Sequence, residues 1–344
     1  MKRLLCGAAM AALIAGAGAD GALARELQLY NWGNYTGQDL LDKFEAETGI
    51  RVTVTDYDSN DTALTKIEAG AHGFDMVVPS ANYVPIFVEK GLLMEVDYSA
   101  MENFRHIDPR WIDVPWDPGR RHTIPWQWGT TGVAVNTSVY AGDPNTSDIW
   151  LNPPEELKGR INVVPEMNDV MALAILYEGG EPCTTDRDLL RRVRDRLQAA
   201  SAHWMSMDYG MTERLASADV SASVNWNGST FRARLLNPDV VYGYPREGYP
   251  LWMDSIGILS DARNVEEAKE FINFIMLPEN AAMISNFARY ANGTVGSEPY
   301  MDEVMRDAPE IFPPEDLAAA GVFLPTCPAE AQQLYSAIWT ELQK

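Results

Sequence analysis

Hydrophobic positions along the chain switch repeatedly between a period of two and a period near 3.6. In "LQLYNW" Leu27, Leu29 and Asn31 fall on one face of an extended segment, Gln28 and Tyr30 on the other. "GQDLLDKFEAETG" then places Leu40, Leu41 and Phe44 on one helical stripe and stops at Gly49. "IRVTVTDY" alternates as a strand, and "NDTALTKIEAG" reads as a helix opened by Asn60 or Asp61. "FDMVVPS" is a short apolar run of the kind a buried parallel strand shows, and "NYVPIFVEKG" is a helix with its stop at Gly91. The order β-α-β-α-β-α predicts an open, doubly wound α/β sheet. Ligands of such sheets bind outside the carboxyl ends of the strands. Trp32 and Tyr35 follow one strand end, Ser80 and Tyr83 another, so one crevice receives aromatic and hydroxyl groups from both.

The middle of the chain is less regular. "HIDPRWIDVPWDPGRRHTIPWQWG" reads as a Trp- and Pro-rich loop leading into the extended "TTGVAVNTSVY". "EELKGRINVV" and "MALAILYEGG" restart the α/β pattern. "DLLRRVRDRLQAAS" is a helix with a basic, solvated stripe. "ADVSASVNWNG" is a strand ending in Trp226 and a turn, and "YPLWMDSIGIL" is a second apolar passage. "VEEAKEFINFIML", "PENAAMISNFARYANG" and "AEAQQLYSAIWTELQ" follow as helices. No repeat or low-complexity region interrupts the pattern.

The N-terminus changes the picture of compartment. Lys2 and Arg3 precede the apolar "LLCGAAMAALIAGAGA", and "ALA" at 22–24 has the form of a cleavage site. Residues 1–24 therefore read as a secretory signal peptide, with the mature chain starting near Arg25. Cys6 precedes the apolar run, which argues against a lipid anchor. "GAGADG" at 16–21 fits a dinucleotide fingerprint, but no strand precedes it. The expectation is a soluble periplasmic product with no direct membrane insertion.

About 320 residues remain, enough for two ordinary domains. The formal charge of −22 becomes about −23 once Lys2, Arg3 and Asp20 are removed, with 25 basic against 48 acidic residues. Such a surface disfavours nucleic acid as a partner and attracts cations. Solubility in a salty medium accounts for it equally well, and charge alone does not separate the two. Cys183 and Cys327 survive cleavage, and an oxidising compartment permits a bridge between them. Spacing leaves their pairing open.

No nucleophile–base motif, phosphate loop or metal-ligand spacing is present, and His72, His106, His122 and His203 are scattered. The expectation is therefore no catalysis, no cofactor and no metal. What recurs is Trp or Tyr beside carboxylates at strand ends. Trp252 and Asp254 lie two apart and share a face if "LWMDS" is extended. Aromatic faces attract an organic cation through their quadrupole, and a desolvated carboxylate accepts its N–H bonds. Core packing explains any single Trp as well. Trp32, Trp226 and Trp252 together leave the choice even.

"YNWGNYTGQDLLDKFEAETGIRV", "DSNDT", "FDMVVPSANYV", "WGTTGVAVN", "VNWNGS", "REGYPLWMDS" and "NFARYANG" occur in that order over almost the whole mature chain. Together they closely resemble the periplasmic spermidine/putrescine-binding proteins of ABC importers. The resemblance implies an α/β, two-lobed periplasmic-binding-protein fold of type II, each lobe a sheet flanked by helices, with a hinge between them. The expected division puts 25–133 and 255–305 in lobe I and 134–254 and 306–344 in lobe II. The chain would cross between them near 131–136 and 253–256.

Carried over by position, the resemblance implies an aromatic box of Trp32, Tyr35, Tyr83, Trp226, Trp252 and Tyr290. Ser80 would hydrogen-bond an amine, Asp254 would hold an ammonium near mid-ligand, and Glu166 and Asp169 would take an amine end. Two positions depart from the family pattern. Asn34 stands where an acidic residue is usual, and Thr326 and Cys327 fall near a usual polar contact. The implied function is a monomeric receptor that passes a polyamine to ABC permease subunits. The alternatives are the same fold binding another amine or a compatible solute, a secreted enzyme, or a sensory receptor.

Overall fold

The computed structural model describes residues 25–344; the signal segment read at 1–24 lies outside the described residues. The first elements are β1 (Arg25–Trp32), α1 (Gln38–Thr48), β2 (Ile50–Tyr57), α2 (Asn60–Glu68), β3 (Met76–Val77) and α3 (Val84–Glu89). β1 pairs in parallel with both β2 and β3, as the alternating pattern predicts. α1 buries Leu40, Leu41 and Phe44 and ends at Gly49, whose φ of 73° suits a residue without Cβ. α2 opens at Asn60, one of the two residues expected. Its N-cap is Ser59, which accepts from the Thr62 N–H, and Asn60 turns its amide toward Ser80.

A hairpin of β4 (Asp113–Val114) and β5 (Asp117–Pro118) leads into β6 (Thr123–Asn136), which starts well inside the segment read as loop. Pro125 disguised it. The register against the partner strand shifts at Ser255, which faces Pro125, and an irregular ladder tolerates a missing N–H. The chain continues through α4 (Asp148–Leu151), β7 (Ile161–Val163), α5 (Met167–Tyr177), α6 (Arg187–Ser201), β8 (Trp204–Ser206) and α7 (Thr212–Ala216). It then forms β9 (Ala222–Trp226), α8 (Asn227–Leu236), β10 (Val240–Gly243), β11 (Tyr249–Ile258), α9 (Val265–Ile275) and α10 (Pro278–Ala288). The last elements are α11 (Glu303–Arg306), α12 (Glu315–Ala318), β12 (Gly321–Phe323) and α13 (Ala329–Leu342).

The main strand order is β2-β1-β3-β11-β6-β9-β7-β8, with β10 on β6 and β12 on β11. β6 and β11 are the long antiparallel strands that connect the two halves. β6 pairs with β11 up to Thr130 and with β9 from Thr131 to Val135. β11 reaches β12 through Tyr249–Leu251 and β3 through Gly257 and Ile258.

Two large apolar cores flank this crossing. The first gathers Leu29, Phe44, Phe87, Ile124, Ile256 and Phe271; the second gathers Val133, Trp150, Val163, Leu173, Leu197 and Trp339. Each such buried side chain contributes roughly 1.5–3 kcal/mol relative to exposure. α6 shows how the pattern builds a core. Leu189, Leu190, Val193 and Leu197 form its buried stripe, and Asp186 caps its start by accepting from the N–H groups of Asp188 and Leu189. Cys183 and Cys327, left open by sequence, form a disulfide with Cα atoms 5.0 Å apart.

Candidate functional site

Between the cores lies a cleft lined from both sides. Ten of the eleven residues singled out in the sequence line it. β1 ends in Trp32 and delivers Asn34 and Tyr35 in the turn beyond. Ser80 follows β3, Glu166 and Asp169 open α5, Trp226 ends β9, Trp252 and Asp254 lie on β11, and Tyr290 follows α10. Tyr83 stands behind the wall instead. Its hydroxyl donates to Asp61 at 2.8 Å and accepts from the Asn168 amide at 3.1 Å. Thr326 lies outside too, bonding the Asn82 carbonyl at 2.9 Å, and Cys327 is committed to the disulfide.

The aromatic groups pack edge to face. Trp252 meets Tyr290 at 5.2 Å between ring centroids, Tyr35 meets Tyr290 at 5.5 Å, and Trp32 meets Trp226 at 6.0 Å. Two glycines make room for this. A Cβ on Gly228 would lie 2.5 Å from the Tyr290 ring, and one on Gly129 would lie 2.8 Å from Trp252. The Trp32 indole N–H is fixed by the Val78 carbonyl at 3.1 Å.

Three carboxylates face this cavity, and among the described residues none has a basic side chain within ion-pair distance. Asp254 accepts from Ser80 Oγ at 2.6 Å and from the Tyr35 hydroxyl at 2.8 Å. Asp169 accepts from Thr131 Oγ1 at 2.6 Å and from the Trp226 indole at 2.9 Å, both on Oδ2. Glu166 accepts from the Asn60 backbone N–H at 3.2 Å. Neutral donors stabilise the ionised forms, but burial acts more strongly the other way. It pushes Asp254 up to about 7 against the pull of Ser80 and Tyr35. Asp169 is likewise raised by burial. Glu166 is raised by burial, then by the neighbouring charges of Asp169 and Asp61. The site therefore lacks positive charge at three carboxylates and offers ring faces around them, the chemistry that suits an organic cation.

The sequence reading passed over Asn60, Asn82, Tyr209, Ser229 and Arg232, which also line the cavity. Tyr209 closes it from one side, its hydroxyl donating to the Gly33 carbonyl at 2.7 Å. Ser229 and Arg232 had a usable signal. They lie three apart on α8, which begins directly after the strand-end Trp226, so they share the face turned to the crevice.

The model of the bacterial extracellular solute-binding protein family matches residues 39–313. The putrescine-binding periplasmic protein SpuD of Pseudomonas aeruginosa (strain UCBPP-PA14) is 29% identical over 346 residues, covering 94% of each chain. The spermidine/putrescine-binding periplasmic protein of Escherichia coli (strain K12) is 29% identical over 318 residues, 91% of this chain and 89% of the relative. The solved structure of a putative spermidine/putrescine ABC transporter from Listeria monocytogenes superposes with a TM-score of 0.87 at 28% identity. It covers 93% of this chain and 99% of its own. Among the described residues no helix is long and apolar enough to cross a membrane. With the family model spanning most of its length and two cores joined by crossing strands around an aromatic, acidic cavity, this chain belongs to the bacterial extracellular solute-binding proteins.

Proposed function

We propose that this chain is a periplasmic receptor that captures an organic amine of the putrescine/spermidine class between its lobes and delivers it to the permease of an ABC importer. The observation that carries this reading is the trio Glu166, Asp169 and Asp254, buried within an aromatic box without a cationic partner. Each ammonium of the ligand takes N–H bonds to these carboxylates and rests on the faces of Trp32, Tyr35, Trp226, Trp252 and Tyr290. Ser80 accepts or relays a further amine bond. Tyr83 supports Asn168 from behind.

The mechanism is charge compensation coupled to closure. Asp254 is tied to the first half through Ser80 and Tyr35, and Asp169 to the second half through Thr131 and Trp226. Bringing both halves together removes water from like charges, which opposes closure until a cation neutralises them. The closed form is further joined by Tyr209 on Gly33, Asn168 on Tyr83 and Thr326 on Asn82. The hinge lies where β6 changes partner at Thr130 and Thr131 and where β11 passes Leu251–Asp254. A ligand biases this equilibrium by its extra affinity for the closed form, and the closed surface is what a permease reads. The energy for transport comes from ATP at partner subunits, so the receptor itself turns nothing over.

Calorimetric titration with putrescine, spermidine, cadaverine and agmatine at two salt concentrations tests the reading. Sub-micromolar binding of one of them is expected. Silence from all four, with folded protein cleared of carried-over ligand by unfolding and refolding, overturns it. Asn34 favours a second reading within the same fold, a ligand with fewer positive charges. An amide on the cavity rim offers hydrogen bonds without a full charge.

A further inference from the structure

Arg232 is the one cationic side chain lining the cavity among the described residues. It sits on α8, three residues after Ser229, and the centre of its guanidinium lies 5.9 Å from the centroid of the Tyr290 ring. Its neighbour Arg234 is held by Glu310. No carboxylate among the described residues reaches Arg232 within ion-pair distance. Its side chain donates to the carbonyl of Ala288, the last residue of α10 and the negative end of that helix, and also hydrogen-bonds Tyr290. A guanidinium has five N–H donors in a planar fork, and a carboxylate fits two of them in parallel. Most of that capacity is unspent, in a half-buried position beside the hydroxyl-bearing Ser229.

The cavity is therefore bipolar. Three carboxylates line it from α5 and β11, and from α8 comes Arg232, whose guanidinium has no carboxylate partner among the described residues. A second cationic ligand end near Arg232 would meet like charge in a water-poor space, which disfavours it. An anionic end would meet two N–H donors and the Ser229 hydroxyl. Resting on the amine-receptor reading above, we infer that the preferred ligand is an amine carrying a carboxylate at its far end, with Arg232 as the anchor of that carboxylate. Asn34 fits this polarity, since the turn after β1 adds no fourth carboxylate to the cavity.

The test is titration of refolded full-length mature protein with matched ligands. ω-Amino carboxylates with three, four or five methylenes are each compared with the diamine and the plain alkylamine of similar length. At least one ω-amino carboxylate is expected to bind tenfold or more tightly than its alkylamine. In Arg232→Gln that advantage disappears while the matching diamine binds more tightly than to wild type; Arg232→Lys restores part of the preference. Melting curves establish that both variants are folded. A wild type that binds diamines but gains nothing from the carboxylate overturns this inference and leaves the receptor reading standing. Equal weakening of all three ligand types in Arg232→Gln also overturns it, because Arg232 then only props Tyr290 and Ala288. Binding of an ω-amino carboxylate with silence from every diamine supports this inference and overturns the putrescine/spermidine class proposed above; silence from every amine overturns both.

Discussion

The indole N–H of Trp226 donates to Asp169 Oδ2 at 2.9 Å, while its ring meets Trp32 from the opposite half at 6.0 Å. One side chain thus holds a carboxylate in place and builds the wall that a ligand lies against. Trp226→Phe keeps a ring and loses the donor. Because a hydrogen bond to a charged group is worth roughly 1.5–3 kcal/mol, diamine binding is expected to weaken about tenfold or more. Trp226→Ala loses ring and donor and falls further. A Trp226→Phe affinity equal to wild type in calorimetry would show that the N–H does nothing for the site, and equal affinities for the two variants would show that the ring does nothing.

Asp254→Asn removes the anion at the centre of the site. Amine affinity should drop by more than tenfold, since a buried charge-assisted pair loses its acceptor charge. The unliganded variant should also melt higher than wild type at pH 8, where wild type must hold an uncompensated buried carboxylate. Unchanged affinity would remove Asp254 from the role assigned to it.

The pH dependence has opposite signs for folding and for binding. Burial raises Asp254 from 3.8 to about 7 in the folded protein. The folded form keeps a proton that the unfolded chain sheds near 3.8, so this stabilisation is full below that value. It is lost as pH rises to about 7, at up to about 1.4 kcal/mol per pH unit. Melting of the unliganded protein should fall between pH 5 and pH 8. An ammonium needs the ionised carboxylate, so amine affinity should rise over the same interval and then level off. Asp254→Asn should make both profiles shallower, the remaining slope coming from Asp169 and Glu166.

Gly228→Ala tests the close approach of α8 to Tyr290. The added Cβ would lie 2.5 Å from the ring, so Tyr290 must shift and take its contact with Trp252 along. Overpacking of this kind costs about 1–3 kcal/mol. The expected result is a lower melting temperature together with weaker amine binding; a fall in stability alone would place Tyr290 outside the ligand's reach.

Asn34→Asp adds a carboxylate on the exposed rim, where a φ of 56° suits either residue. Diamine affinity should rise modestly, through the association rate, and the gain should shrink with added salt. A gain that salt leaves untouched would point to direct contact in the closed form instead.

The alternating strand and helix pattern made the first half of the fold legible, because α1, α2 and α3 each bury one face and end at or within two residues of a glycine. The candidate site was legible where a motif sits at a strand end, as with Trp32, Ser80 and Trp226, or where two residues share one strand face, as with Trp252 and Asp254. Tyr209 and Arg232 escaped notice for a physical reason. Tyr209 lies in the irregular "MSMDYGM", and Arg232 looks like any solvated helix charge until α8 is docked against α10. Tyr83 sits one layer too deep, a distinction that only the packing of α2 and α5 against it decides. The first half of β6, Thr123 to Gly129, was hidden by Pro125 and Gly129, which a regular strand rarely contains.

The edge of β3 that β1 leaves free is covered by β11, and β11 comes from far along the chain. A polypeptide emerging N-terminus first therefore carries an open sheet edge through the synthesis of nearly the whole second core. Such edges template intermolecular pairing, and non-local strands close slowly. The half that appears first is thus finished only after most of the other has been made. For this chain, order of assembly rather than final stability sets the interval of exposure to aggregation.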